Sequence, residues 1–325
     1  MTGAAWHTAV DLAPPTWSGR DDGPEPQHAR WHHAMQAYAT DAVPGIAVLG
    51  FASDEGVRRN EGRPGQVEGP DALRAALAPL ALDAPLAVYD AGTVVAGTAL
   101  EDGQERLGRA IATLIDAGHL PIVLGGGHEV AYGSYLGIAD TATRAARPRL
   151  GVLNLDAHFD LRSAPRASSG TPFRQLLERE QARGRDVDYA VIGISEPSNT
   201  RALFDAADRH GVRWLTDDAS RTADAVDGFI DAFLDRIDVL YLTIDLDVLP
   251  AWVAPGVSAP AAFGVPPEVV QHVCDRVSAS GKLALVDVAE LNPAFDIDRR
   301  TARVAARLIH RIATRRVPLE PSDAA

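Results

Sequence analysis

The chain has 325 residues, enough for one large α/β domain or two ordinary ones, and its 46% hydrophobic and 23% charged content is that of a soluble globular protein. A formal charge of −13 argues against nucleic acid or an anionic membrane as partner, since both need a basic footprint. Cys274 is the single cysteine, so no intrachain disulfide can form; with no signal-type N-terminus and no run near the roughly 20 apolar residues of a membrane span, the expected location is cytoplasmic.

In chain order, residues 1–42 read as an N-terminal extension. It carries Trp6, Trp17 and Trp31, a TrpSerGlyArgAspAspGly turn at 17–23, and a helix expected from about Glu25 to Ala39. From residue 43 to 318 short apolar runs alternate with longer helical patterns. Strands are expected at 46–51, 86–89, 121–124, 150–155, 189–194, 212–215, 239–244 and 283–288. Helices are expected at 103–118, 172–183, 199–210, 221–236, 267–280 and 300–316. This alternation predicts an α/β fold, a single-domain doubly wound and mainly parallel eight-stranded sheet. The runs are apolar on both faces, as buried parallel strands are. Residues 319–325 form a C-terminal tail expected to fray.

Six potential metal ligands follow three of these strands: His128 in GlyGlyGlyHis, then Asp156, His158 and Asp160 in AspAlaHisPheAsp, then Asp245 and Asp247 in AspLeuAsp. Positions i, i+2 and i+4 of an extended strand share a face, so 156, 158 and 160 are expected to converge on one point and 245 with 247 on another. Ligands of open α/β sheets collect at the carboxyl ends of strands, and Glu290 in AspValAlaGluLeuAsnPro (287–293) reaches the same edge. Each motif alone is weak: a glycine-rich turn is usually just a turn, and this one has neither a phosphate-loop Lys nor dinucleotide spacing. Together, four carboxylates and two imidazoles without cysteine favour a hard to borderline cation such as Mn²⁺ over thiolate-bound zinc. Six ligands suit two ions that share carboxylates and activate water.

These motifs, in this order, resemble the ureohydrolase (arginase–agmatinase) superfamily over roughly residues 45–316, with an arginase/deacetylase-like sheet. The resemblance implies two Mn²⁺ ions per subunit, with Asp156 and Asp245 bridging, His128 and Asp160 completing one ion, and His158 and Asp247 the other. It also implies that Glu290 holds the planar amidine or guanidine of a small-molecule substrate, in the fork geometry a carboxylate offers such a cation. Asp160 would relay a proton to the departing amine, and subunits would assemble as a homo-oligomer, a trimer or hexamer. Within the superfamily the similarity is greatest to the formimidoylglutamase branch, through segments 17–23, 55–65, 125–133, 168–173, 193–200 and 289–303. That branch implies hydrolysis of the formimidoyl C–N bond of N-formimidoyl-L-glutamate to glutamate and formamide, in histidine breakdown.

Two departures from arginases point the same way. The loop after AspAlaHisPheAsp reads SerSerGlyThrProPhe and has no His, and position 162, usually Asn in arginases, is Arg162. A guanidinium there suits a substrate with an extra carboxylate and no free α-ammonium. Arg63 (with Arg58 and Arg59 in the same loop) is a further candidate for the substrate carboxylates, and Ser169 and Asn199 are candidate substrate contacts by resemblance. The competing readings are an amidinohydrolase releasing urea from a guanidine, and a non-catalytic metal-binding homologue. His28, His32 and His33, and the helical His210, His272 and His310, read as surface or structural residues.

Overall fold

The structure, a computed structural model, describes residues 9–319. Nine strands form one sheet: β1 (Met35–Ala37), β2 (Ile46–Ala52), β3 (Val88–Val95), β4 (Leu120–Leu124), β5 (Leu150–Leu155), β6 (Val187–Ile194), β7 (Arg213–Thr216), β8 (Val239–Asp245) and β9 (Leu283–Ala289). Their order is β1-β3-β2-β4-β9-β8-β5-β6-β7, and every pair of neighbours is parallel. All eight expected strands are present, the largest displacement being the end of the strand expected at 86–89, which runs Val88–Val95, and all six expected helices are too.

Parallel strands need crossover segments, and here those are helices on both faces. Alternation along each strand divides the core in two. Leu240, Leu242 and Ile244 of β8 join one apolar cluster, while Val239 and Tyr241 join the other. The first cluster also takes in Leu73 and Leu77 of α1 (Gly69–Leu77) and Ile309 and Ile312 of the last helix, Arg300–Arg315. The second takes in α2 (Leu100–Asp116), α3 (Val130–Ala139) and α4 (Pro172–Ala182).

The ninth strand corrects the N-terminal expectation. In place of a helix over 25–39 there is a 3-10 turn at Pro26–His28, one helical turn at Trp31–Ala34, and then β1. β1 pairs with β3 in the register Met35↔Val88. The unpaired backbone of the sheet edge outcompetes a helix there, since edge N–H and C=O groups are satisfied by a neighbouring strand. Trp31 is fully buried and donates from Nε1 to Nδ1 of His310, 3.1 Å away.

Residues 9–42 are further pinned by a buried polar network. Arg74 donates to both oxygens of Asp90 (2.8 and 3.0 Å), and the indole Nε1–H of Trp17 donates to Oδ2 of the same carboxylate at 2.8 Å. Trp17→Phe keeps the apolar ring and deletes only that bond. Hydrogen bonds to charged groups contribute about 1.5–3 kcal/mol, so a stability loss near the lower figure is expected in urea unfolding, with steady-state kinetics unchanged. The Trp6 and C-terminal tail expectations, the latter from residue 320 onward, lie outside the described residues. Leu319 itself packs against the second core.

Candidate metal centre

Four strands that are far apart in the chain, β4, β9, β8 and β5, are consecutive in the sheet. Their carboxyl ends deliver His128, Glu290, Asp245 with Asp247, and Asp156 to Asp160 to one place. The glycine run after β4 permits this close approach: a Cβ on Gly126 would lie 2.0 Å from the Ser53 carbonyl oxygen. Only glycine passes there.

The donors form two sets that share one residue. Nδ1 of His128 faces Oδ2 of Asp156 (3.1 Å), Asp160 (2.9 Å) and Asp245 (3.1 Å). Nδ1 of His158 faces Oδ1 of Asp156 (3.4 Å) and Oδ2 of Asp247 (3.0 Å). Asp156 thus turns one oxygen to each imidazole. Two groups able to hold a metal ion follow, His128–Asp156–Asp160 and Asp156–His158–Asp247. Asp245 joins the first through Oδ2, while its Oδ1 accepts the Asp247 N–H at 2.8 Å.

The convergence does not arise as strand periodicity predicts. β5 ends at Leu155, so 156–160 is a loop, and Asp160 has φ +49°. The sets also mix segments, which a reading of each segment by itself does not anticipate. The loop is held by Asn199, whose Oδ1 accepts the Phe159 N–H (3.2 Å) and whose Nδ2 donates to the Ala157 and Ser195 carbonyls (both 2.9 Å). That spends the amide on backbone and makes Asn199 a brace of the ligand loop.

The charges show what the site is built to hold. Burial disfavours ionised Asp156, but the imidazoles of His128 and His158 that face its two oxygens outweigh it and hold its carboxyl below the usual range. Burial, with the Asp156 charge, pushes Asp160 up to about 6, and burial with the Asp247 and Asp156 charges pushes Asp245 well up. Both imidazoles resist burial of charge, yet the surrounding carboxylates drive them well above the ordinary histidine value. Nδ1 of His128 is buried without a hydrogen bond among three carboxylate oxygens. Four carboxylates around two imidazoles at that spacing ask for cations, and a divalent ion satisfies each set better than a proton does. The donor set therefore fits metal ions.

Glu290 sits beside this centre at φ +72° and is buried. Its Oε1 accepts the His128 N–H (2.9 Å) and its Oε2 accepts from Nε2 of Gln66 (3.0 Å). Burial, followed by the Glu129 carboxylate, pushes Glu290 up to about 8. Gln66, Glu129, Asn154 and Thr243 went unassigned in the sequence. Gln66 opens a short 3-10 turn, Gln66–Glu68, and gives no local sign of its complete burial. Asn154, alone among apolar residues in β5, is the one with a legible signal; it donates to Asp156 Oδ2 at 2.9 Å.

The remaining candidates separate. Arg63 is tied to backbone: it donates to the Ser258 carbonyl from Nε at 2.9 Å and to the Val257 carbonyl from Nη2, and it lies 4.4 Å over the Phe295 ring. It closes a loop against these residues. Arg58 pairs with Asp54, and Arg59 with Glu55 and Glu101. Arg162 is exposed and its guanidinium has no partner among the described residues. Ser169 is buried, and its hydroxyl makes no hydrogen bond among the described residues. A cavity of about 900 Å³ lies elsewhere, at the amino ends of β5 and β6.

Fold and site together define an α/β protein with a candidate metal centre at the carboxyl edge of a parallel sheet. The sequence matches the arginase family over residues 44–314, and the chain belongs to that family. It is 66% identical over 307 residues to the formimidoylglutamase of Nocardia farcinica, covering 94% of this chain and 98% of that one. Identity to the formimidoylglutamase of Rhodococcus jostii is 61% over 312 residues, 95% and 98% of the two chains. Among solved structures, the Mn²⁺-bound formiminoglutamase of Trypanosoma cruzi superposes with a TM-score of 0.74 at 30% identity, covering 83% of this chain and 92% of that one. No helix of the described residues is long and apolar enough to cross a membrane.

Proposed function

We propose that this chain is a formimidoylglutamase, hydrolysing N-formimidoyl-L-glutamate to L-glutamate and formamide with two Mn²⁺ ions per subunit. The observation that carries the reading is the pair of donor sets sharing Asp156, with the buried carboxylate of Glu290 beside them. The names of the bacterial relatives and the manganese of the trypanosomal protein support it.

His128, Asp156, Asp160 and Asp245 would hold one ion, and Asp156, His158, Asp245 and Asp247 the other. Bound there, the ions lower the pKa of water from 15.7 towards about 7 and so supply a nucleophile near neutral pH. Glu290 binds and orients the amidine, its two oxygens fixed by His128 N–H and Gln66 so that the remaining lone pairs face a planar N–H pair. The φ +72° backbone of Glu290 costs strain that a merely structural residue would shed, which fits a held, aimed side chain. Arg162 pairs with a substrate carboxylate. Asp160 would accept the proton that the attacking water loses and pass it to the amine that departs as the C–N bond breaks. Residues 43–318 form the catalytic unit, active in the cytoplasm as a homo-oligomer.

The test is a substrate panel on Mn²⁺-loaded protein with products identified. Glutamate and formamide from formimidoylglutamate are expected, with activity lost on chelation and recovered with Mn²⁺. Urea from arginine, agmatine or guanidinobutyrate in preference, or turnover that survives chelation, rejects the reading. Arg162→Ala is expected to raise KM by about tenfold with kcat less changed, as for a charge-assisted contact; an unchanged KM removes Arg162 from the site.

A further inference from the structure

The ring of His128 has two nitrogens, and the two ends meet different surroundings. Nδ1 faces the carboxylates of the metal centre. Nε2 lies 3.0 Å from Oγ1 of Thr243, and that hydroxyl donates to Oδ1 of Asp287 at 2.6 Å. The other oxygen of Asp287 accepts the hydroxyl of Tyr241. Thr243, Asp287 and Tyr241 are all buried, and they come from adjacent strands, β8 and β9, registered with Thr243 opposite Asp287.

Proton counting orders this chain of groups. A threonine hydroxyl has one hydrogen and two lone pairs. Asp287 takes the hydrogen, so Oγ1 can only accept from His128. Nε2 must then carry a proton, which leaves Nδ1, when the ring is neutral, as a bare lone pair aimed at the centre. As a carboxylate Asp287 has only acceptors to offer, one oxygen to Thr243 and the other to Tyr241, and this sets the polarity of the relay.

We propose that Thr243 and Asp287 are positioning residues of the metal centre, which fix the His128 proton on Nε2 and thereby commit Nδ1 to a divalent cation. This rests on the metal reading above. Neither residue touches substrate, and their effect is on ion affinity. His158 has no corresponding relay among the described residues, so the two donor sets differ, and the effect falls on the ion held by His128. Outer partners of a ligating imidazole are typically worth 10–100-fold in metal affinity.

The experiment counts bound Mn²⁺ per subunit in the full chain, with free Mn²⁺ buffered over a graded series and no substrate present. Thr243→Val, which keeps the shape and removes the acceptor, is expected to move half-saturation of one ion upward 10–100-fold while the second ion titrates as in the parent. Thr243→Ser restores the parental curve to within about threefold. At saturating Mn²⁺ the KM for formimidoylglutamate stays at the parental value. A folded Thr243→Val protein that titrates like the parent overturns the proposal, and so does a Thr243→Ser protein as weak as Thr243→Val. Asp287→Ala removes the acceptor that orients the hydroxyl and is expected to weaken the same ion at least as much; it reads the relay if Thr243→Val does not fold. A parent that binds no Mn²⁺ overturns the metal reading itself, which is a separate result.

Discussion

Asp156→Asn will strip the protein of bound manganese and reduce kcat/KM by more than the roughly 10–100-fold typical of changes outside the ligand sphere. Asp156 belongs to both donor groups, with Oδ2 3.1 Å from His128 and Oδ1 3.4 Å from His158. Asparagine retains one oxygen, so one donor set loses a ligand, and the missing charge weakens both. The new amide nitrogen also meets a donor whichever way it turns. The His158 N–H points at Oδ1 (2.7 Å) and the Asn154 amide at Oδ2 (2.9 Å), and opposing a buried donor with another donor costs about 1–3 kcal/mol. Metal counted by atomic emission after gel filtration, together with kcat/KM, checks this. Two retained ions per subunit and near-parental turnover would remove Asp156 from the centre.

Glu290→Gln is the second large effect, and it differs in kind. No ion ligand is lost, so manganese content stays at the parental level. What is lost is the carboxylate, whose pKa burial lifts to about 8 and which a bound cationic amidine would hold ionised. Hydrogen bonds to charged groups contribute about 1.5–3 kcal/mol, which predicts a fall in kcat/KM of roughly 10- to 150-fold. The side chain is enclosed by two donors, His128 N–H and Gln66 Nε2, so the glutamine amide nitrogen opposes one of them and a lower melting temperature accompanies the kinetic loss. A variant with parental kcat/KM would assign Glu290 to structure alone.

The two substitutions separate binding of metal from binding of substrate because the residues are neighbours with different partners. That separation was partly legible in the sequence. Histidine and aspartate placed directly after apolar strands announce ligands, whereas a glutamate in a Glu-Leu-Asn-Pro turn announces little without the family resemblance. Arg63 and Asn199 show the limit. Both are polar residues in loops near the motifs, yet the fold commits them to the backbone of Val257 and Ser258 and of Ala157, Ser195 and Phe159. Loop backbone needs partners once buried, and the nearest polar side chains supply them.

The elements tell the same story. Eight strands were readable because strands buried on both faces are near-continuous apolar runs. Met35–Ala37 was not, since three residues carry no period and their strand character comes only from the edge of β3 beside them. Helix α3, Val130–Ala139, also escaped. Val130, Ala131, Gly133, Tyr135, Gly137 and Ala139 are all buried and cover most of the helix circumference, and such a helix lacks the stripe that marks an amphipathic one.

By itself the sequence determined the chemistry available to this protein: which side chains follow which strands, their charge, and hence a demand for hard cations at one sheet edge. Residue type and the alternation of apolar runs are local properties, and they survive without coordinates. Only the tertiary structure decided how the ligands are grouped. It set β4, β9, β8 and β5 side by side, turned the two oxygens of Asp156 to different imidazoles, and placed Thr243 and Gln66 behind His128 and Glu290. Those pairings join residues up to 224 positions apart, and contacts over such separations come from strand order and packing, which no local pattern encodes.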